Sequence, residues 1–139
     1  MRLKNDWING FVDGEGCFYV GINNNDLMAL KVQVLPEFAV VKHKRDVKVL
    51  YDLKDFFKCG LVKKNRDNRM CYVVRKLKDL FNIIIPFFEK CPLMTTKKSN
   101  FLRFRWIVKS MMIKKYHLKA EGLEKIISVK NKMNRGTIL

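Results

Sequence analysis

Asn5-Asp6-Trp7-Ile8-Asn9-Gly10-Phe11-Val12-Asp13-Gly14-Glu15-Gly16-Cys17-Phe18-Tyr19-Val20-Gly21-Ile22 is the stretch that decides how this chain is read, because the hydrophobic period changes inside it. In its first half Trp7, Ile8, Phe11 and Val12 fall at helical spacing and Asn5 or Asp6 can cap the start, so a short helix is expected over 5–14. From Gly16 onward the residues are strand formers, and Cys17–Ile22 reads as a strand. Gly10 and Gly14 stand four apart and share one side of the helix. That side carries no side chains, so two such helices can approach backbone to backbone and hold by van der Waals contact. Glu15 then sits at the helix end, where Gly14 and Gly16 permit unusual dihedrals. A two-fold axis along such a helix pair would bring two copies of Glu15 together. Carboxylates at short range repel, and a hard divalent cation with oxygen ligands relieves the repulsion.

Outward from this stretch, Asn23–Asp26 is a turn by composition, and a second strand is expected from about Met28 to Val41. Val32, Val34, Phe38 and Val40 alternate to one face; Lys31, Gln33, Leu35, Glu37 and Ala39 alternate to the other. Pro36 argues for a bend or an unpaired edge position. A helix follows from Arg45 or Asp46 to about Lys58, stopped by Gly60. Leu61–Lys64 and Arg69–Lys76 are the arms of a second hairpin around the turn Asn65–Asn68. Leu77–Lys90 reads as a helix that Pro86 should kink or shorten. Cys91–Met94 is a connection. Thr96–Tyr116 and Leu118–Met133 read as two further helices, with Trp106 in the core and a frayed tail over 134–139.

The order αββαββα followed by C-terminal helices shows no linker, so residues 1–139 are expected to form one α+β domain. Its natural packing is a four-stranded antiparallel, saddle-like sheet with helices on one face. The other face is left open, and on this reading it carries Lys31, Gln33, Lys63, Asn65, Arg69 and Arg75.

Composition narrows the function. Lys plus Arg number 29 against 13 Asp plus Glu, a net charge of +16 that repels itself unless a polyanion neutralises it. Nucleic acid is the leading candidate. A membrane partner is disfavoured, because no apolar run approaches the ~18 residues a spanning helix needs and the N-terminus lacks the apolar stretch of a signal peptide. Cys17, Cys59, Cys71 and Cys91 form no C-x-x-C pair and have no histidine at ligand spacing, so zinc and disulfides are disfavoured and buried or half-buried thiols in a reducing compartment are expected. The many Lys, Asn, Ile and Phe fit an AT-rich gene of an organelle (chloroplast or mitochondrion) or of a prokaryote whose cytoplasm would hold the protein. His43 and His117 read as surface residues.

Ile8-Asn9-Gly10-Phe11-Val12-Asp13-Gly14-Glu15-Gly16 resembles the motif of the LAGLIDADG homing endonucleases, with Glu15 in the final acidic position and Asn9 departing from the small second residue. The resemblance extends over 37–46, 57–62 and 85–93, and so covers most of residues 7 to about 110. It implies a site-specific double-strand DNA endonuclease, intron-encoded, that hydrolyses phosphodiesters with Mg²⁺ (Mn²⁺ substituting) held by Glu15 and Gly14. Thr95-Thr96-Lys97-Lys98 resembles the loop bearing the family's catalytic lysine, which aligns with Lys97, Lys98 being its rival; Lys42 falls where the family often has Gln or Lys near the active-site water. One motif copy implies a homodimer on a long pseudo-palindromic site, with Trp7, Gly10, Phe11, Asp13 and Gly14 at the interface.

For reading bases in the major groove the expected residues are Tyr19, Asn23, Asn25, Lys31, Gln33, Lys63, Asn65, Arg69 and Arg75. The alternative is a non-cleaving protein on the same scaffold: an intron-RNA maturase, which makes intron RNA a possible partner, or a DNA-binding regulator.

Overall fold

A computed structural model describes residues 3–134. Among these the chain runs α1 (Asn5–Glu15), β1 (Gly16–Asn24), β2 (Val32–His43), α2 (Val47–Phe57), β3 (Leu61–Lys64) and β4 (Arg69–Val74). It continues through α3 (Leu77–Asp79), a π turn (Leu80–Ile84), α4 (Ile85–Lys90), α5 (Lys97–Lys109), a second π turn (Ser110–Lys114) and α6 (Ala120–Lys130). The four strands form one antiparallel sheet in the order β1-β2-β4-β3. This is the α+β arrangement the hydrophobic periods call for.

The period-two pattern sets the two sides of the sheet. Phe18, Val20, Val34, Phe38, Val40, Tyr72 and Val74 are buried and share one cluster with the buried faces of the helices. Phe18 is the hub. Its ring lies 5.2–5.7 Å from those of Phe38, Phe88, Phe101 and Phe104, so one side chain joins the first two strands to α4 and α5. Edge-on aromatic contacts of this kind add about 1 kcal/mol each beyond the area they bury. Tyr72, fully buried, satisfies its hydroxyl by donating to the Cys59 carbonyl at 2.9 Å.

Local expectations fail where backbone chemistry overrides the period. β2 begins at Val32, not Met28, because residues 25–31 are tied into a loop. There the Asn25 amide donates to the Lys31 carbonyl at 2.8 Å and the Lys31 amide to the Met28 carbonyl at 2.9 Å. Lys31, with φ +61°, closes that loop and leaves the strand face expected of it. Pro36 pairs with Val20 on β1 but lies beyond the last β2–β4 pair, Phe38 with Val74, so its missing N–H falls where β4 does not reach. β4 stops at Val74 rather than Lys76.

The helix around Pro86 is not kinked at the proline. It widens one turn earlier, where the Ile85 amide reaches the Leu80 carbonyl, and Pro86 then starts a fresh α segment as its second residue. The long basic helix likewise ends in a π turn and a left-handed Lys115, φ +55°, rather than running to Tyr116, and α6 starts at Ala120 rather than Leu118. Trp106, expected in the core, is 38% exposed on α5, and Cys17, expected buried or half-buried, is exposed on the open sheet face. In the expected frayed tail Asn134 is instead fixed by paired hydrogen bonds with Asn100, at 2.8 and 3.0 Å; residues 135–139 lie outside the described residues. Among the described residues no helix is long and apolar enough to cross a membrane.

Candidate active site and nucleic-acid interface

α1 has three working faces, one for each way a helix of this spacing can look. Ile8 and Val12 point inward and are fully buried. Gly10 and Gly14 point to open space: a side chain added at either would meet nothing within 4 Å. Trp7, 47% exposed and stacked on Phe11 at 4.8 Å, flanks this bare side. Asn9 and Asp13 form the third face, which grips the loop before α5. The Asn9 amide donates to the Pro92 carbonyl at 2.9 Å. The Asp13 carboxylate accepts from the Met94 amide at 2.7 Å, the Thr95 amide at 3.1 Å and the Thr95 hydroxyl at 2.5 Å. Asp13, expected at a dimer interface, thus directs its carboxylate into its own chain. Burial pushes this carboxyl's pKa up; the Thr95 hydroxyl, the Met94 and Thr95 amides and the Lys97 charge outweigh it and hold the carboxyl below its ordinary value.

Glu15 ends α1 and is exposed, its carboxylate 3.6 Å from the ammonium of Lys42, which reaches across from β2. Gly16 brings the chain so close to the helix that a side chain there would lie 2.6 Å from a Val12 methyl, which explains why this position is glycine. The Gly16 carbonyl accepts a hydrogen bond from the Lys97 ammonium. Of the two neighbouring lysines, Lys97 is thus turned to the motif helix and half-buried, while Lys98 is exposed. Lys97 stands in a cleft of about 820 Å³ lined also by Ser99, Asn100, Arg103, Lys132 and Asn134, none of which the sequence reading had singled out. Their signal is weak, since polar residues on a basic helix are ordinary. Cys17 sits on the same wall. The protein packed around its thiol raises that pKa, against the opposing charge of Lys97, so it is a neutral thiol at pH 7.

The open sheet face carries part of the expected reading set. Tyr19, Asn23, Asn65, Arg69 and Arg75 are exposed, and Gln33 and Lys63 are half-exposed beside them. The register aligns Asn23 with Gln33, and Lys63 with Cys71. Asn25 belongs to the loop, where its carbonyl accepts from the Leu27 amide at 3.0 Å and its amide donates to Gln33 at 3.1 Å. The Lys31 ammonium donates to the Asp26 carbonyl at 3.3 Å, away from the strand rows. Arg75 is engaged by Glu37, Nε to Oε1 2.6 Å, a partner on the same face that the sequence reading left out of the set. His43 shares this face and accepts from the Arg45 amide at 3.1 Å, while His117 is half-buried, its pKa lowered by burial and by Lys115.

A glycine-faced helix ending in an acid beneath an open basic sheet is the frame of one family. The LAGLIDADG endonuclease family model matches residues 8–108, and the chain belongs to that family. Among solved structures, the homing endonuclease I-TnaI superposes with a TM-score of 0.92 at 51% identity, covering 98% of this chain and 91% of that one. I-SmaMI, bound to uncleaved DNA target in the presence of calcium ions, superposes with a TM-score of 0.93 at 35% identity, covering 96% of this chain and 46% of that one. A probable intron-encoded endonuclease of Neurospora crassa is 30% identical over 130 residues, 92% of this chain; the chain spans 27% of that protein's length.

Proposed function

We propose that this chain is a homing endonuclease that cuts both strands of DNA at a long, pseudo-palindromic site, acting as a homodimer through α1 with Mg²⁺ as its cation. One observation carries the reading: Glu15 stands at the end of a bare-faced helix with Lys42 at 3.6 Å and the Lys97 ammonium held on the adjoining Gly16 carbonyl. The DNA-bound state of I-SmaMI and the family membership support it. The intron-encoded relative supports a gene carried in an intron, of an organelle or a prokaryote, and hence action inside that compartment.

The donor set suits a hard cation. Among the described residues no three His, Cys, Asp or Glu side chains gather to hold a metal ion. Each protomer offers the exposed Glu15 carboxylate, with the Gly14 carbonyl as a second oxygen, which suits a cation that keeps several waters and shares phosphate oxygens; Mn²⁺ would substitute for Mg²⁺. A cation held there by Glu15 and the Gly14 carbonyl would supply charge neutralisation for the phosphodiester and acidify water. Lys97 stabilises negative charge as it develops on the phosphate and orients water in its cleft. The Gly16 carbonyl aims that ammonium, and Lys42, 3.6 Å from the Glu15 carboxylate, orients it. Tyr19, Asn23, Gln33, Lys63, Asn65, Arg69 and Arg75 read base edges from the sheet; Asn25 and Lys31 act from the loop at its end.

The test is a cleavage selection over a randomised plasmid library. With Mg²⁺ the wild type is expected to linearise members sharing one site. EDTA and Glu15→Gln should each abolish product, while Glu15→Gln still binds the selected site. Equal product in every sample removes the metal-nuclease assignment.

A further inference from the structure

We propose that Asp13 is a positioning residue that, through Thr95, fixes Lys97 at the end of the motif helix, on the Gly16 carbonyl. The proposal rests on the nuclease reading of Lys97 above. It starts from the three faces of α1: the side that carries Asn9 and Asp13 faces neither the core nor the bare glycine surface, and both residues are spent on the loop that delivers the lysine.

The relay is continuous. The Asp13 carboxylate accepts a hydrogen bond from the Thr95 hydroxyl at 2.5 Å, and the same hydroxyl oxygen accepts from the amide of Lys97, the first residue of α5, at 3.2 Å. The Lys97 backbone is therefore anchored to Asp13, and its ammonium is anchored three residues further on, at the Gly16 carbonyl. Between those two anchors stands Glu15. Lys97 is thus held at both its backbone and its ammonium to the four-residue segment that contains Glu15. Each link is a directed hydrogen bond, and the chain ends on the Asp13 carboxylate oxygens. Asp13 touches no reacting atom; it acts through the lysine.

The experiment compares Asp13→Asn, Thr95→Val and Thr95→Ser, alone and combined with Lys97→Ala, on the selected target. Asp13→Asn and Thr95→Val are expected to slow single-turnover cleavage by up to about 100-fold, the cost of an ångström-scale misplacement. Target affinity measured in Ca²⁺ should stay within about threefold, and Thr95→Ser should recover most of the rate. In the Lys97→Ala background Asp13→Asn should add less than about twofold, because the lysine it positions is gone. Hydrogen exchange gives a readout without catalysis: amides of residues 94–97 should exchange faster in Asp13→Asn than in wild type. Unchanged exchange overturns the relay. So does a rate loss that multiplies in full with Lys97→Ala, or one matched by lost affinity. A Lys97→Ala enzyme that cuts at wild-type speed refutes the lysine's role itself and takes this proposal with it, a result distinct from an impaired Lys97→Ala beside an unimpaired Asp13→Asn.

Discussion

Two carboxylates two residues apart in the motif have different work because their surroundings differ. Asp13 is saturated by donors from its own chain, and Glu15 is exposed with a single lysine nearby. The depressed carboxyl of Asp13 has a sign that can be measured. Because the folded value lies below the unfolded one of about 3.8, its stabilising effect is complete above that pH and is lost as pH falls through the lower folded value. The stability gap between wild type and Asp13→Asn, followed by denaturant unfolding, should stay flat from neutral pH down to about 4 and close only below it. A gap that closes between pH 5 and 7 contradicts that assignment. At the sheet face Glu37 holds Arg75 through Nε, so if Arg75 reads a guanine edge as proposed, its terminal nitrogens are the donors that face the base.

At the scale of elements, the sequence was most legible where period and packing agree. α1, β1, the even-numbered core row of β2 and the second hairpin are read straight from spacing, and Phe18 and Phe38 sit where alternation demands. It was least legible where hydrogen bonds between distant segments decide. Nothing in Asn9 or Asp13 announces a contact with residues 92–95, more than 80 positions away, and Lys31 turns left-handed because the loop it closes needs it. Trp106 has core spacing and yet lies on the outer side of α5, since period locates a stripe but not its edge. The bare face of α1 yields a prediction at this scale. A Cβ at Gly10 meets nothing within 4 Å in the protomer, and leucine replaces a poor helix former, so Gly10→Leu should leave thermal stability unchanged or raise it by up to about 1 kcal/mol. The same side chain would block the proposed close helix pairing, so light scattering should report a monomer for the variant and a dimer for the wild type. A dimeric Gly10→Leu sinks the helix-pairing model.

For the whole molecule the governing quantity is charge. A net +16 on a domain of this size makes the phosphate backbone the expected main source of affinity, to which the proposed base-reading face would add selectivity. If six to ten phosphates are neutralised, affinity for the selected site should fall by about 10³ to 10⁵ between 50 and 200 mM salt. The preference over random DNA should survive that change, because base contacts release few ions. Equal affinity for both DNAs at every salt concentration would reduce the protein to a general polyanion binder.

Beyond Phe38 the first two strands run on as a ribbon that β4 does not reach. Its underside, with Val20, Val34 and Pro36, is locked into the core, while its upper rows carry Tyr19, Asn23, Gln33 and Leu35 free of structural duty to the interior. If these rows read the target as proposed, mutations there would rewrite the address that the molecule recognises and leave its foldedness alone. A lineage carrying such a ribbon can drift to new genomic locations in small steps, and a designer retargeting it has the same freedom.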